Sequence, residues 1–159
     1  EPETRFLDAR IRRADGTTKS TLAACSEAEI DPTDRLWIRF RASDIDDHLS
    51  SYHLQVTYGD NQRRILIGNG PQLGATLTQV GGGANVGPTY SEYLNQVPGT
   101  SPMWSGGDYE LDVNASAVFP TTCCYQLELR AYKRTIVNCN DQQPHRNLSE
   151  RSFMVRVGS

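Results

Sequence analysis

Apolar and polar residues alternate through most of this chain, and the alternation is cleanest between Cys123 and Asn140. There Tyr125, Leu127, Leu129 and Ala131 fall on one face, and Gln126, Glu128, Arg130 and Tyr132 on the other. A half-buried antiparallel strand needs this pattern, because successive side chains point to opposite faces of a sheet. The same period marks residues 35–42, with Leu36, Ile38, Phe40 and Ala42 opposed to Arg35, Trp37, Arg39 and Arg41. Residues 51–58, 108–113 and 151–157 repeat it, and residues 63–68 read as a further short strand. In residues 5–13, Phe6 and Ile11 break strict alternation, which predicts a bulge or an edge position. Asp15-Gly16 and Gly59-Asp60-Asn61 supply turns.

Two stretches lack this period. Residues 20–31 predict a short helical turn that Pro32 ends, since the residue before proline avoids the helical region. Between Gly68 and Gly107 lie ten glycines and four prolines. A loop this long inside a compact domain is usually functional or partly disordered. Within it, residues 89–97 predict a short helix carrying Tyr90, Tyr93 and Leu94.

About seven short strands with almost no helix predict an all-β antiparallel sandwich. A closed barrel is the alternative. The sandwich is preferred because residues 114–122 make a crossover longer than a hairpin turn. At 159 residues the chain reads as a single domain, 1–159, with an insertion over roughly 69–107.

The net charge of -3 is too balanced for a disordered chain and argues against nucleic acid as the main partner. Arginines cluster at Arg10, Arg12 and Arg13 and at Arg63 and Arg64, but acidic residues flank both groups and predict ordinary solvated faces. No apolar run approaches the ~20 residues that cross a bilayer, so no membrane insertion is expected. The opening EPETRF predicts a mature or excised segment of a longer polypeptide.

Two stretches carry a family resemblance. FRASDIDDHLSSYHLQVTYG (40–59), and CCYQLELRAYKRTIVNC with the terminal SERSFMVRV, resemble immunoglobulin-like modules of bacterial surface proteins, in the neighbourhood of fibronectin type III and polycystic-kidney-disease domains. Where such modules often have Asp-Pro-Asp-Gly, this chain has Asp44-Ile45-Asp46-Asp47. The resemblance implies an immunoglobulin-like architecture in a secreted or cell-surface setting, and it leaves the Gly-rich segment unexplained.

Three groups of residues are candidates for chemistry. The four cysteines make no CxxC pair, which disfavours zinc and points to an oxidising compartment. Cys25 precedes the strand at 35–42, and Cys123 and Cys124 open the strand at 123. If strands run alternately up and down, these lie at one end, and a bridge from Cys25 to either is reasonable. Cys139 pairs only if the chain folds back after Arg134. Asp44, Asp46 and Asp47, with Ser43 and either Asp31 or Asp34, present oxygens suited to Ca²⁺, against the plainer reading of a capped turn. Tyr90, Tyr93 and Trp104 in the insertion are aromatics of the kind that stack on sugars or anchor protein interfaces; otherwise Trp104 covers one open end of the sandwich.

Catalysis finds little support. His48, His53 and His145 are irregularly spaced, and there is no GxSxG, HExxH or phosphate-binding loop. The sequence therefore points to a non-catalytic extracellular module for adhesion, surface assembly or spacing, with a protein or glycan as partner. A carbohydrate-binding module using the loop aromatics is the second reading, and an enzyme the third.

Overall fold

A computed structural model describes residues 2–45, 49–68, 70–82, 104–133 and 148–158. Two sheets face each other. The first has the order β2-β1-β4-β9-β8, from β1 (Glu3–Arg12), β2 (Thr18–Thr21), β4 (Arg35–Ser43), β8 (Thr76–Gly82) and β9 (Gly106–Asn114). The second has the order β3-β11-β10-β5-β6-β7, from β3 (Ser26–Glu29), β5 (Leu49–Tyr58), β6 (Gln62–Gly68), β7 (Gly70–Pro71), β10 (Cys123–Lys133) and β11 (Leu148–Gly158). Every pairing is antiparallel except β3 with β11. The orders β1-β4-β9-β8 and β11-β10-β5-β6 match those of an immunoglobulin sandwich, in which a four-stranded ABED sheet faces strands C, F and G. Two separate sheets replace the closed-barrel alternative.

The inner faces are the ones that the alternation assigns. Leu36, Ile38 and Phe40 of β4, Leu54 and Val56 of β5, Leu111 and Val113 of β9, and Leu127 and Leu129 of β10 are fully buried. Each such side chain contributes on the order of 1.5–3 kcal/mol by leaving water. Aromatic rings tie the sheets together: Tyr52 of β5 packs 4.8 Å from Tyr109 of β9 and 5.8 Å from Phe40 of β4.

Tyr125 fastens the crossover. Its ring is buried against Phe119 and Tyr58. Its hydroxyl donates to the Thr121 carbonyl and accepts from the Thr121 N–H at 2.9 Å. This is the tyrosine-corner arrangement of immunoglobulin folds, a ring at the start of strand F bonded back to the chain just upstream. Between β9 and this corner, the predicted crossover holds one helical turn, α1 (Ala115–Val118), capped by Asn114.

Several expectations need correction. Residues 20–31 form no helical turn: Thr18–Thr21 pairs with β1 and Ser26–Glu29 with β11, so this segment passes from one sheet to the other. Pairing to two open sheet edges overrides a weak local preference. The Gly-rich insertion is not uniformly without structure, since 76–82 is strand β8 and 106–107 begins β9. Glycine is required at that contact: a Cβ on Gly107 would lie 2.4 Å from the Gly81 carbonyl oxygen. Leu7 is bypassed in the β1–β4 register, which is the bulge that the broken alternation predicts.

A Tyr125→Phe variant is expected to lose about 1–2 kcal/mol, because a part-buried backbone N–H and carbonyl lose their partner. Urea unfolding measures this; a loss below about 0.5 kcal/mol contradicts the role given to the corner.

Candidate interaction surfaces

With alternate side chains committed to the core, what remains for chemistry is the outer faces, the sheet edges and the ends. The edges differ in protection. Natural edge strands discourage further pairing with charges, proline or shortness. Here β2 carries Lys19, β3 carries Glu27 and Glu29, and β7 is a two-residue strand ending on Pro71. The β8 edge, TLTQVGG, has seven residues, no charge and no proline. Among the described residues it pairs with β9 alone, and Val80, skipped in the register, is 37% exposed. Sequence reasoning missed this strand. Its signal was the short run Thr76, Leu77, Thr78 and Val80, β-favouring residues standing between glycines.

The outer face of the second sheet carries a hydrogen-bonded chain. Position 53 points outward, as the alternation requires, yet His53 is only 6% exposed. Its Nε2 lies 2.8 Å from Gln55 Oε1, and the Gln55 amide donates to Glu128 at 3.3 Å. Since Gln55 Nε2 donates to Glu128, its Oε1 is the acceptor and His53 Nε2 carries the proton. Arg130, directly across from His53, pairs with Glu128 and, at 2.9 Å, with Glu150. Among the described residues His53 Nδ1 is buried without a partner. Burial pushes the imidazole pKa down; the bond to Gln55 opposes this, and the Arg130 and Arg63 charges add to it. Bonded to an amide rather than a carboxylate or hydroxyl, this imidazole has neither a proton sink nor a nucleophile to activate.

Above this chain, a hollow of about 790 Å³ opens between the β5–β6 turn and the start of β10. Gln55, Thr57, Asn61, Gln62, Gln126 and Met154 line part of it. Amide and hydroxyl groups of this kind recognise polar ligands by hydrogen bonds, and Asp60 and Arg63 add charge to the same lining.

At the opposite end, Trp104 exchanges two backbone hydrogen bonds of 2.8 Å with Leu49. It is half-buried at the end of the sandwich where β4 stops and β5 starts. Tyr90 and Tyr93 lie outside the described residues. Of the calcium candidates, Asp44 is buried beside this contact, its N–H bonded to the Ser105 carbonyl, while Asp46 and Asp47 lie outside the described residues. Asp31 and Asp34 cannot join Asp44: they sit before β4 and Asp44 after it, a strand length of roughly 30 Å away. Both are held instead by Lys19, whose Nζ lies 2.8 Å from each. Among the described residues no three acidic, histidine or cysteine side chains gather.

The cysteine expectation also changes. Cys123 is joined to its neighbour Cys124, and Cys25 is an exposed thiol. Cys25 does lie at the end where β10 opens, since it and Cys124 flank one small hollow. But Cys25 bonds to Met154 of β11, and β11 separates it from β10. Two strand spacings make roughly 10 Å, beyond the ~7 Å between Cα atoms that a disulfide spans. Cys139 lies outside the described residues, as do His48 and His145. No described helix is long and apolar enough to cross a membrane.

No protein-family description matches the sequence, and no curated protein is similar to it. Among solved structures, the chain is similar to AggA, the major subunit of aggregative adherence fimbriae type I from Escherichia coli. The likeness has 10% sequence identity and a TM-score of 0.37, over 98% of this chain and 96% of that one.

Two predictions follow from the histidine and the cysteines. An unfolded chain's imidazole titrates near ~6.5, and the native one lower. Below ~6.5 the unfolded state therefore binds a proton that the native state lacks, so stability falls as pH falls through the native pKa. Urea midpoints at about pH 7.5 and about pH 5.5 are expected to differ less in His53→Gln than in the parent chain; an equal difference contradicts the buried neutral imidazole. Peptide mapping without reductant is expected to find Cys123 and Cys124 unalkylated in one peptide and Cys25 alkylated. A crosslinked peptide holding Cys25 and Cys124 contradicts this pairing.

Proposed function

We propose that the chain is a non-catalytic extracellular module, secreted or held at a cell surface, that joins protein units in adhesion, surface assembly or spacing. The observation that carries this reading is the β8 edge. A seven-residue strand without charge or proline, at the margin of a five-stranded sheet, offers backbone donors and acceptors to another strand. Main-chain pairing of this kind needs no side-chain specificity, and two copies can meet through it about a two-fold axis. The three other described edges are shortened or charged, which leaves β8 as the favoured direction of growth.

A second reading, carbohydrate binding, draws on the amide-lined hollow beside the β5–β6 turn. On the loop-aromatic version of that reading, Tyr90 and Tyr93 would join Trp104. A glycan array separates the two: binding lost in Gln126→Ala and kept in Trp104→Ala favours the hollow.

Sedimentation of the parent chain over a range of concentrations tests the leading reading. Self-association is expected in the parent and its loss in Val80→Lys and Val80→Pro, since charge blocks edge pairing and proline is tolerated at bulges. Association that persists in both folded variants, or a parent chain that stays monomeric, contradicts it.

A further inference from the structure

Along β4 and β9 the outer face of the first sheet opposes unlike charges, while the β1–β4 register sets like charges opposite each other at Arg5–Arg41 and Arg12–Arg35. Along β4 and β9, Arg39 faces Glu110 and Arg41 faces Asp108. Arg41 is bonded to Asp108 at 2.7 Å and paired to Glu3 at 3.2 Å. At the end where β4 begins, this alternation fails. The cross-strand neighbours of Arg35 are Asn114 on one side, which is neutral, and Arg12 on the other, which has the same charge. Like charges directly opposite each other in a sheet are destabilising.

The nearby carboxylates do not resolve the clash. Asp8 takes Arg10 at 2.9 Å, and Asp112 takes only the Nε of Arg35, at 2.8 Å. Arg13 bonds to Thr17 and Thr18. Among the described residues Arg12 has no carboxylate partner, and its Nε is buried without an acceptor. What holds it is Trp37. The Arg12 guanidinium lies 4.0 Å from the indole centroid, with Arg10 at 5.8 Å, and between them Trp37 is 92% covered. Stacking on the ring fixes the plane of the guanidinium while leaving its edge N–H groups unspent. A flat, immobilised guanidinium beside a second arginine is the donor arrangement that a bidentate oxyanion takes.

We propose that Arg12 and Arg35, braced by Trp37, form an oxyanion-binding corner that takes the sulfate or carboxylate group of an acidic ligand. An anion seated there turns a like-charge pair into two charge-assisted contacts. The flanking carboxylates Asp8, Asp112 and Glu110 oppose a continuous polyanion, so the fitting ligand carries one isolated acidic group on an otherwise neutral body. The corner lies on a face distinct from the β8 edge, so its fate and that of the strand-pairing reading are independent.

Trp37 supplies the readout, since the sequence has only two tryptophans. In a Trp104→Phe background, sodium sulfate is titrated against sodium chloride at matched ionic strength, following indole fluorescence and thermal midpoint. A sulfated monosaccharide and its neutral parent form the second arm. A saturable sulfate response is expected. It should weaken about tenfold or more in Arg12→Gln and in Arg35→Gln, and stay unchanged in Arg156→Gln on the other sheet. Arg35→Gln guards against a trivial result, because it leaves the Arg12–Trp37 stack in place. Tighter binding of the sulfated sugar than of sulfate identifies a glycan source; equal binding identifies the ion alone as sufficient. The proposal is overturned if chloride matches sulfate, or if both arginine variants respond as the parent does.

Discussion

The structure depends on the closure of two apolar faces, each supplied by every second residue of its strands. Phe40, Tyr52 and Tyr109 make the closure specific, because one ring from the second sheet fits against two from the first. Aromatic pairs at these separations contribute roughly 0.5–1.5 kcal/mol beyond the area they bury. Around them Leu54, Leu111, Leu127 and Leu129 fill the remaining space. Once those positions are committed, every intervening residue is placed on an outer face, and every strand without a second neighbour becomes an edge. The candidate surfaces are what the core leaves over.

The two outer faces handle their polar residues differently. On the first sheet, arginines of β4 meet carboxylates of β9 and of β1, and most charges are balanced within the sheet. Part-exposed pairs of this type contribute little stability, since water screens them. Their effect is on register and on which ligands are excluded. On the second sheet the chain from His53 through Gln55 and Glu128 to Arg130 is largely removed from water. There a missing partner costs more, and the open Nδ1 of His53 makes the network sensitive to pH. Imbalance therefore marks informative positions on both faces, among them the Arg12 cation and the ring nitrogen of His53.

Much of this was legible in the sequence, for a physical reason. Strands β4, β5, β10 and β11 are half-buried over long spans, so a strict two-residue period had to be written into them. The outward parity of Trp37 and His53 could be read the same way. That His53 is covered could not, because alternation assigns a face and says nothing about what lies over it. β2 and β3 were illegible because Thr18–Thr21 and Ser26–Glu29 gain their conformation from edges made by distant residues. β8 was hidden by Gly81 and Gly82, whose role is to let β9 approach closely, a demand that leaves no periodic trace. For the cysteines, alternation could assign an end of the sandwich but not which strands lie between them. The two ends coincide as expected, but β11 lies between Cys25 and β10.

Amide hydrogen exchange under native conditions tests the central claim most directly, because it reports closure of the two faces and openness of the edge in one experiment. The amides of Ile38, Leu127 and Leu129, in strands paired on both sides, are expected to exchange only through global unfolding. Outward amides of Thr76–Gly82 in dilute solution are expected to exchange orders of magnitude faster. Leu127 and Leu129 exchanging as fast as β8 would mean that the two faces do not close on one another, and the account would fall with them.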